Sequence, residues 1–194
     1  MTALVVAGAC LLATRGANPA EVPPIGRSLA TVPLHGNDWT LPGGGVVTDG
    51  FEVLELAPGQ SPVTITSVRL IGARDVRLVG ARVAGPHREV YQFAGDRGFP
   101  SVDGKRSRPA VGTTIAEAKR GWGLLVGLRV GSSGYPMIVG VEVRYSVDRG
   151  VNHQVYRQVF RGGVIFCADR PPSNRGRCRP PNDLEKLVGN GGEQ

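Results

Sequence analysis

Three residue sets in this chain could do chemistry: cysteines at 10, 167 and 178, histidines at 35, 87 and 153, and a run of arginines from 144 to 179. Cys167 and Cys178 enclose ADRPPSNRGR, a loop of Pro, Asn and Gly with too little apolar side chain to order itself by burial. A disulfide there would close a short ring and stabilise the fold by about 3 kcal/mol in the chain-entropy picture. Ten intervening residues fit neither C-x-x-C redox chemistry nor a zinc knuckle, and no nearby His completes a site. A structural disulfide between Cys167 and Cys178 is therefore expected. With Cys10 set aside as a processed residue, an even pair remains, and even pairs belong to oxidising compartments.

The histidines are far apart and none forms an H-x-H or H-x-x-x-H pair, so they read as loop residues, and neither a metal nor a cofactor is expected. A hydrolase nucleophile would sit in G-x-S-x-G; the nearest match, Gly131-Ser132-Ser133-Gly134, has the wrong spacing and reads as a hairpin turn. Gly43-Gly44-Gly45 lacks the Lys-Ser/Thr that completes a phosphate loop. Carboxylate pairs such as Glu52 with Glu55, or Asp96 with Asp103, have no aromatic sugar platform beside them. No catalytic residue is assigned.

The arginines are the remaining lead. The formal charge is +7, and residues 144–179 hold eight basic side chains against two acidic ones. They are Arg144, Arg149, Arg157, Arg161, Arg170, Arg175, Arg177 and Arg179, with Tyr145, Tyr156 and Phe166 interleaved. Such a surface attracts anionic polymers, and aromatic and basic residues together hold single-stranded nucleic acid. The competing reading is a solvated sheet face with alternating charges over a buried aromatic face. Arg makes up 20 of the 23 basic residues, as GC-rich codon usage would also produce.

Cys10 lies within an uncharged apolar stretch, Thr2 to Ala13, about the size of a signal-peptide core and too short to span a bilayer. Small residues at Ala7 and Ala9 suit a signal peptidase, and Ala-Gly-Ala-Cys is similar to a lipobox, which would make Cys10 a lipidation site. The end of a truncated transmembrane helix is the third possibility. A charged n-region is missing, but the Pro-rich segment that comes next gives the stretch nothing to pack against. Export, with membrane association through the N-terminus, is expected.

The elements that must position these residues are strands. Gly and Pro together make 44 of 194 residues, punctuating runs of period two. FEVLELA, VTITSVRLIG and VRLVGARV read as three successive strands, the second with a bulge at Ser67 where Ile65 and Val68 break the alternation. EVYQF (89–93) is a possible further strand; WGLLVGLRVG and MIVGVEVRYSV come next, and a turn at Asp148-Arg149-Gly150 leads into VNHQVYRQVF and then VIFC. In MIVGVEVRYSV, Val139, Val141, Val143, Tyr145 and Val147 share one face and Gly140, Glu142, Arg144 and Ser146 the other. Candidate core residues are Val53, Ile65, Leu70, Leu78, Leu125, Leu128, Val141, Val143 and Val159. TIAEAKR (114–120) and DLEKLV (183–188) are short enough to be isolated helical turns.

The expected fold is all-β, an antiparallel immunoglobulin-like β-sandwich of seven to eight strands between a disordered N-terminal tether and a disordered C-terminal tail. The expected organisation is a leader or anchor at 1–13, a Pro/Gly-rich tether at 14–45, the β-sandwich at 46–168 and a tail at 169–194.

The apolar leader, the tether, the PVTITSVRLIG strand and the GWGLLVGLRVG, MIVGVEVRYSVDRG and VYRQVFRGGVIFC runs together resemble exported or membrane-anchored, lipoprotein-like proteins of high-GC actinobacteria. That resemblance covers roughly residues 46–168 and implies an envelope location and a β-sandwich, with no active site carried over. The function expected is a non-enzymatic extracytoplasmic binding or scaffold module, whose partner is an envelope protein or an anionic envelope polymer. Two alternatives stand beside it: an accessory enzyme or transport component with its site in loop 94–120, and anionic-polymer or nucleic-acid binding through the basic 144–179 segment. Nucleic acid is not expected outside the membrane.

Overall fold

Val141, Val143, Tyr145 and Val147 are at most 2% exposed while Arg144 and Ser146 between them stay partly open, so the alternation in this stretch does what a half-buried strand requires. The same logic runs through the computed structural model, which describes residues 22–30, 37–39, 44–86, 96–100, 107–117, 121–149, 152–168 and 181–189. In chain order its elements are β1 (Leu29–Ala30), β2 (Asn37–Trp39), β3 (Gly45–Leu56), β4 (Val63–Ile71), β5 (Val76–Ala84), β6 (Asp96–Arg97) and β7 (Arg108–Pro109). Then come β8 (Thr114–Ile115), β9 (Trp122–Val130), β10 (Met137–Ile138), β11 (Gly140–Arg149), β12 (Asn152–Phe160), β13 (Val164–Phe166) and one helix, α1 (Asn182–Gly189). The fold is all-β. Among the described residues, six strands of nine residues or more do most of the pairing and seven short ones close the edges.

A six-stranded sheet runs β1-β3-β9-β5-β7 with β6 beside β3, and a four-stranded sheet runs β12-β11-β4-β8. Both are antiparallel. A small third sheet, β10-β13-β2, contains one parallel pair. One apolar cluster joins the two large sheets: Leu54, Leu124, Val126 and Leu128 from one meet Val63, Ile65, Val143 and Tyr145 from the other. From β3 through β4 to β5 the chain crosses between the layers twice. β4 and β5, whose VRLIG and VRLVG segments look like neighbours in sequence, therefore lie in opposite sheets.

Several expectations are corrected by this arrangement. The turn at Gly131–Gly134 carries the chain out of the six-stranded sheet instead of closing a hairpin. Thr114 and Ile115 pair with β4 as a strand instead of opening a helix, because Ile115 is needed in the core. Val53 and Val159 face outward, and their neighbours Leu54 and Phe160 are the buried residues, at 0% and 2% exposed. Leu125 is buried on the face of β9 opposite the main core. The fold also starts before residue 46 and continues beyond 168. Residues 22–30, 37–39 and 44–45 carry strands or bridges, and α1, over the expected DLEKLV, packs Leu184 and Val188 on Met137 and Ile165. Residues 1–21, the possible strand at 89–93, and 169–180 lie outside the described residues.

The bulge lies beside Ser67, as the broken alternation implies. Arg144 pairs with Ser67 and Tyr145 with Ile65, which leaves Thr66 as the extra residue.

Candidate functional site

The β11–β12 hairpin holds its register from Val141–Phe160 to Arg149–Asn152 and sets Arg144 directly opposite Arg157. Two residues before Arg144 on the same face stands Glu142, 8% exposed. Arg144 Nε donates to Glu142 Oε1 at 2.7 Å, and Arg157 Nη1 lies 3.5 Å from Oε2. Arg157 Nε also donates to the Pro23 carbonyl at 3.0 Å. One carboxylate thus bridges both members of a like-charged pair and offsets part of their repulsion, and the two guanidinium groups keep its own burial tolerable.

The aromatics interleaved with these arginines point the other way. Tyr145 is 0% and Phe166 2% exposed, and Tyr145 stacks on Tyr156 with ring centroids 5.9 Å apart. A period of two that presents arginines to solvent must send their neighbours into the core, so Tyr145 and Phe166 offer no stacking platform for bases. Burial pushes the Tyr145 phenol above its ordinary value, opposed by the Ser28 N–H that donates to its oxygen at 3.3 Å.

The rest of the expected basic set is scattered. Arg161 is exposed just past β12, Arg149 sits opposite Asn152 at the hairpin end, and Arg170, Arg175, Arg177 and Arg179 lie outside the described residues. Cys167 is 3% exposed just after β13, while Cys178 and Cys10 fall outside the described residues. Among the described residues no three His, Cys, Asp or Glu side chains gather as a metal site, and no helix is long and apolar enough to cross a membrane.

The described parts of loop 94–120 are packed on the sheets. Gly98 N–H donates to the Val46 carbonyl at 2.7 Å, and Thr48 Oγ1 donates to the Gly98 carbonyl at 2.7 Å. Phe99 then lies over Gly80 and Gly127, which are register partners on the outer face of the six-stranded sheet. A Cβ at Gly127 would overlap the Phe99 ring, so that glycine is required by close approach. Further along, Arg82 donates from Nε and Nη2 to the Ser107 hydroxyl and carbonyl, and Arg108 lies over the Trp122 ring at 4.9 Å. These described parts cover the outer face of the sheet.

An open cleft of about 630 Å3 lies instead at the end of the six-stranded sheet, bordered by Gly44, Asp75, Arg77, Arg129, Gly131 and Ser132. Backbone bonds draw the strand ends together there: Gly131 N–H donates to the Asp75 carbonyl at 2.8 Å, and Gly44 N–H to the Gly131 carbonyl at 3.3 Å. Asp75 adopts φ 52°, a turn conformation that Asp tolerates better than most residues. Arg77 and Arg129 are exposed partners in the β5–β9 register. Sequence reasoning missed this pair because the two strands meet across a long stretch of chain. Each arginine was visible only as a polar residue on the outward parity of an apolar strand.

Compared with protein-family models, with curated proteins and with solved structures, the chain matches none of them.

Proposed function

We propose that the chain is a non-enzymatic binding or scaffold module that works outside the cytoplasm and is attached through its N-terminus. One observation carries this reading: the segment behind the apolar leader is stitched to both large sheets. Arg157 N–H donates to the Pro24 carbonyl and Gly26 N–H to the Arg157 carbonyl, both at 2.9 Å. Just beyond Gly26, Leu29 and Ala30 pair with Leu56 and Glu55 of β3, and Ala57 N–H donates to the Ser28 carbonyl at 2.9 Å. Gly26 lies so close to Tyr145 that a Cβ would overlap the phenol oxygen. A tether entering this way transmits load to the edge of each large sheet, which suits a domain held at a membrane surface. Acylation at Cys10 and a disulfide between Cys167 and Cys178 belong to the same reading, and so does the resemblance to exported proteins of high-GC actinobacteria.

Intact mass and non-reducing peptide mapping of protein recovered from its native envelope fraction test this. The expected result is a chain that starts at an acylated Cys10 or at a nearby cleavage site, with Cys167 linked to Cys178. A cytosolic chain that retains Met1 and three free thiols would contradict it.

A further inference from the structure

The cleft at the sheet end plays no part in the attachment reading, and its own residues decide what it could hold. Gly45, Val130 and Val76 form one row of register partners, and Val46, Arg129 and Arg77 form the next. Val76 and Val130, each 6% exposed, turn into the core. Alternation along the strands then sends Arg77 and Arg129 out of the sheet side by side. Residues opposite each other in an antiparallel pair hold their Cβ atoms about 5 Å apart, and like charges in that position repel. Among the described residues, ion pairs to a carboxylate occur at Arg144 and Arg157, and neither Arg77 nor Arg129 has one. Asp75 lines the same cleft without closing an ion pair to either.

Two adjacent guanidinium forks suit one kind of ligand above others. Each fork matches two oxygens of a tetrahedral oxyanion, so one phosphate group bridges both and replaces their repulsion with shared attraction. Asp75 and Ser132 add an acceptor and a hydroxyl to the same cleft. A carboxylate there disfavours a naked anion and favours one that brings hydroxyl donors. The volume, about 630 Å3, also exceeds what a lone ion needs and falls within the roughly 300–1,000 Å3 range of small-molecule pockets. We propose that Arg77 and Arg129, with Asp75 and Ser132 beside them, bind a phosphate group carried on a polyol. The proposal does not depend on which side of a membrane the protein occupies.

The test is calorimetric titration of the full chain at low ionic strength with inorganic phosphate and with glycerol 3-phosphate. Thermal melts accompany it for the wild type, Arg77→Gln, Arg129→Gln and, as an exposed arginine elsewhere, Arg161→Gln. Saturable binding of both ligands is expected, tighter for the ester, with at least a tenfold loss in Arg77→Gln and in Arg129→Gln and none in Arg161→Gln. The ligand-free Arg77→Gln and Arg129→Gln proteins should melt at or above the wild-type temperature, because each change removes a repulsion and leaves the ion pairs of the fold intact. Inorganic phosphate binding as tightly as the ester would keep the oxyanion site and remove the polyol. Absence of saturable binding by either ligand, or equal weakening in Arg161→Gln, would overturn the site. Melting well below wild type in the Arg77 and Arg129 variants would show that the pair is structural, and would overturn it as well.

Discussion

Arg144 faces Arg157 across one antiparallel pair and Arg77 faces Arg129 across another, and the two pairs meet different fates. Behind Arg144, two residues back on the same face, is Glu142, which binds both guanidinium groups. The matching position behind Arg129 is Gly127, which has no side chain and lies beneath Phe99. Asp75 stands at the same spacing behind Arg77, but its φ of 52° places it in the turn ahead of β5, and it closes no ion pair to either arginine. Where a strand carboxylate fills that spacing the pair becomes part of the scaffold, and where a glycine and a turn residue fill it the charge is left facing an open cleft. Net charge alone would have ranked the regions the other way, since the 144–179 segment holds eight basic residues against two acidic ones.

Removing the scaffold's carboxylate should break that contrast most strongly. Glu142→Ala leaves Arg144 and Arg157 opposed with no counter-ion and should cost about 3 kcal/mol, measured by urea denaturation. Adding Arg157→Gln to that variant should recover part of the loss. Next is the covered end of the sheet: Gly127→Ala drives a Cβ into the Phe99 ring and should cost about 2 kcal/mol by thermal melt. Phe99→Ala should relieve that clash and make the two changes non-additive. A smaller effect, about 1 kcal/mol, is expected for Tyr145→Phe, which removes the acceptor for the Ser28 N–H. Because burial raises the Tyr145 phenol above its ordinary 10.0 in the folded chain, the unfolded chain loses that proton first. Its contribution is complete below about pH 10 and is lost as the pH climbs through the raised value. Denaturation at stepped alkaline pH, with tyrosinate absorbance followed in parallel, should show that dependence in the wild type and a shallower one in Tyr145→Phe. Smallest, and opposite in sign, is ligand-free Arg77→Gln, which should gain a few tenths of a kcal/mol.

How much of this was legible in the chain depends on the range of the interaction that decides it. The β11 face, the bulge beside Ser67 and the helix over DLEKLV arise from neighbours within a few residues, and alternation and local bulk reveal them. Val53 and Val159 face away from the core for a different reason. Asp49 pairs with Val126 and Glu52 with Leu124, so two residues of β3 lie between successive pairs where β9 has one, and the alternation ahead of that bulge no longer predicts the facing of Val53 beyond it. In β12 the partner decides, because Val159 lies opposite Glu142 and must share its outward face. The cleft was least legible of all. It needs β5 to pair with β9, and nothing local in VRLVGARV or GLLVGLRVG names that partner. Its lack of a counter-ion is a property of a row of residues drawn from three strands. The apolar segment ahead of residue 22 raised the question of location, and the hydrogen bonds of Pro24 and Gly26 address only how such a segment would be attached.

The most direct measurement of the central contrast is a titration of glycerol 3-phosphate followed through the Arg Nε–Hε resonances by 1H–15N NMR. The Arg77 and Arg129 signals should move together and saturate, while those of Arg144 and Arg157, already held by Glu142, stay in place. Saturating shifts at Arg144 and Arg157, with Arg77 and Arg129 unmoved, would contradict it.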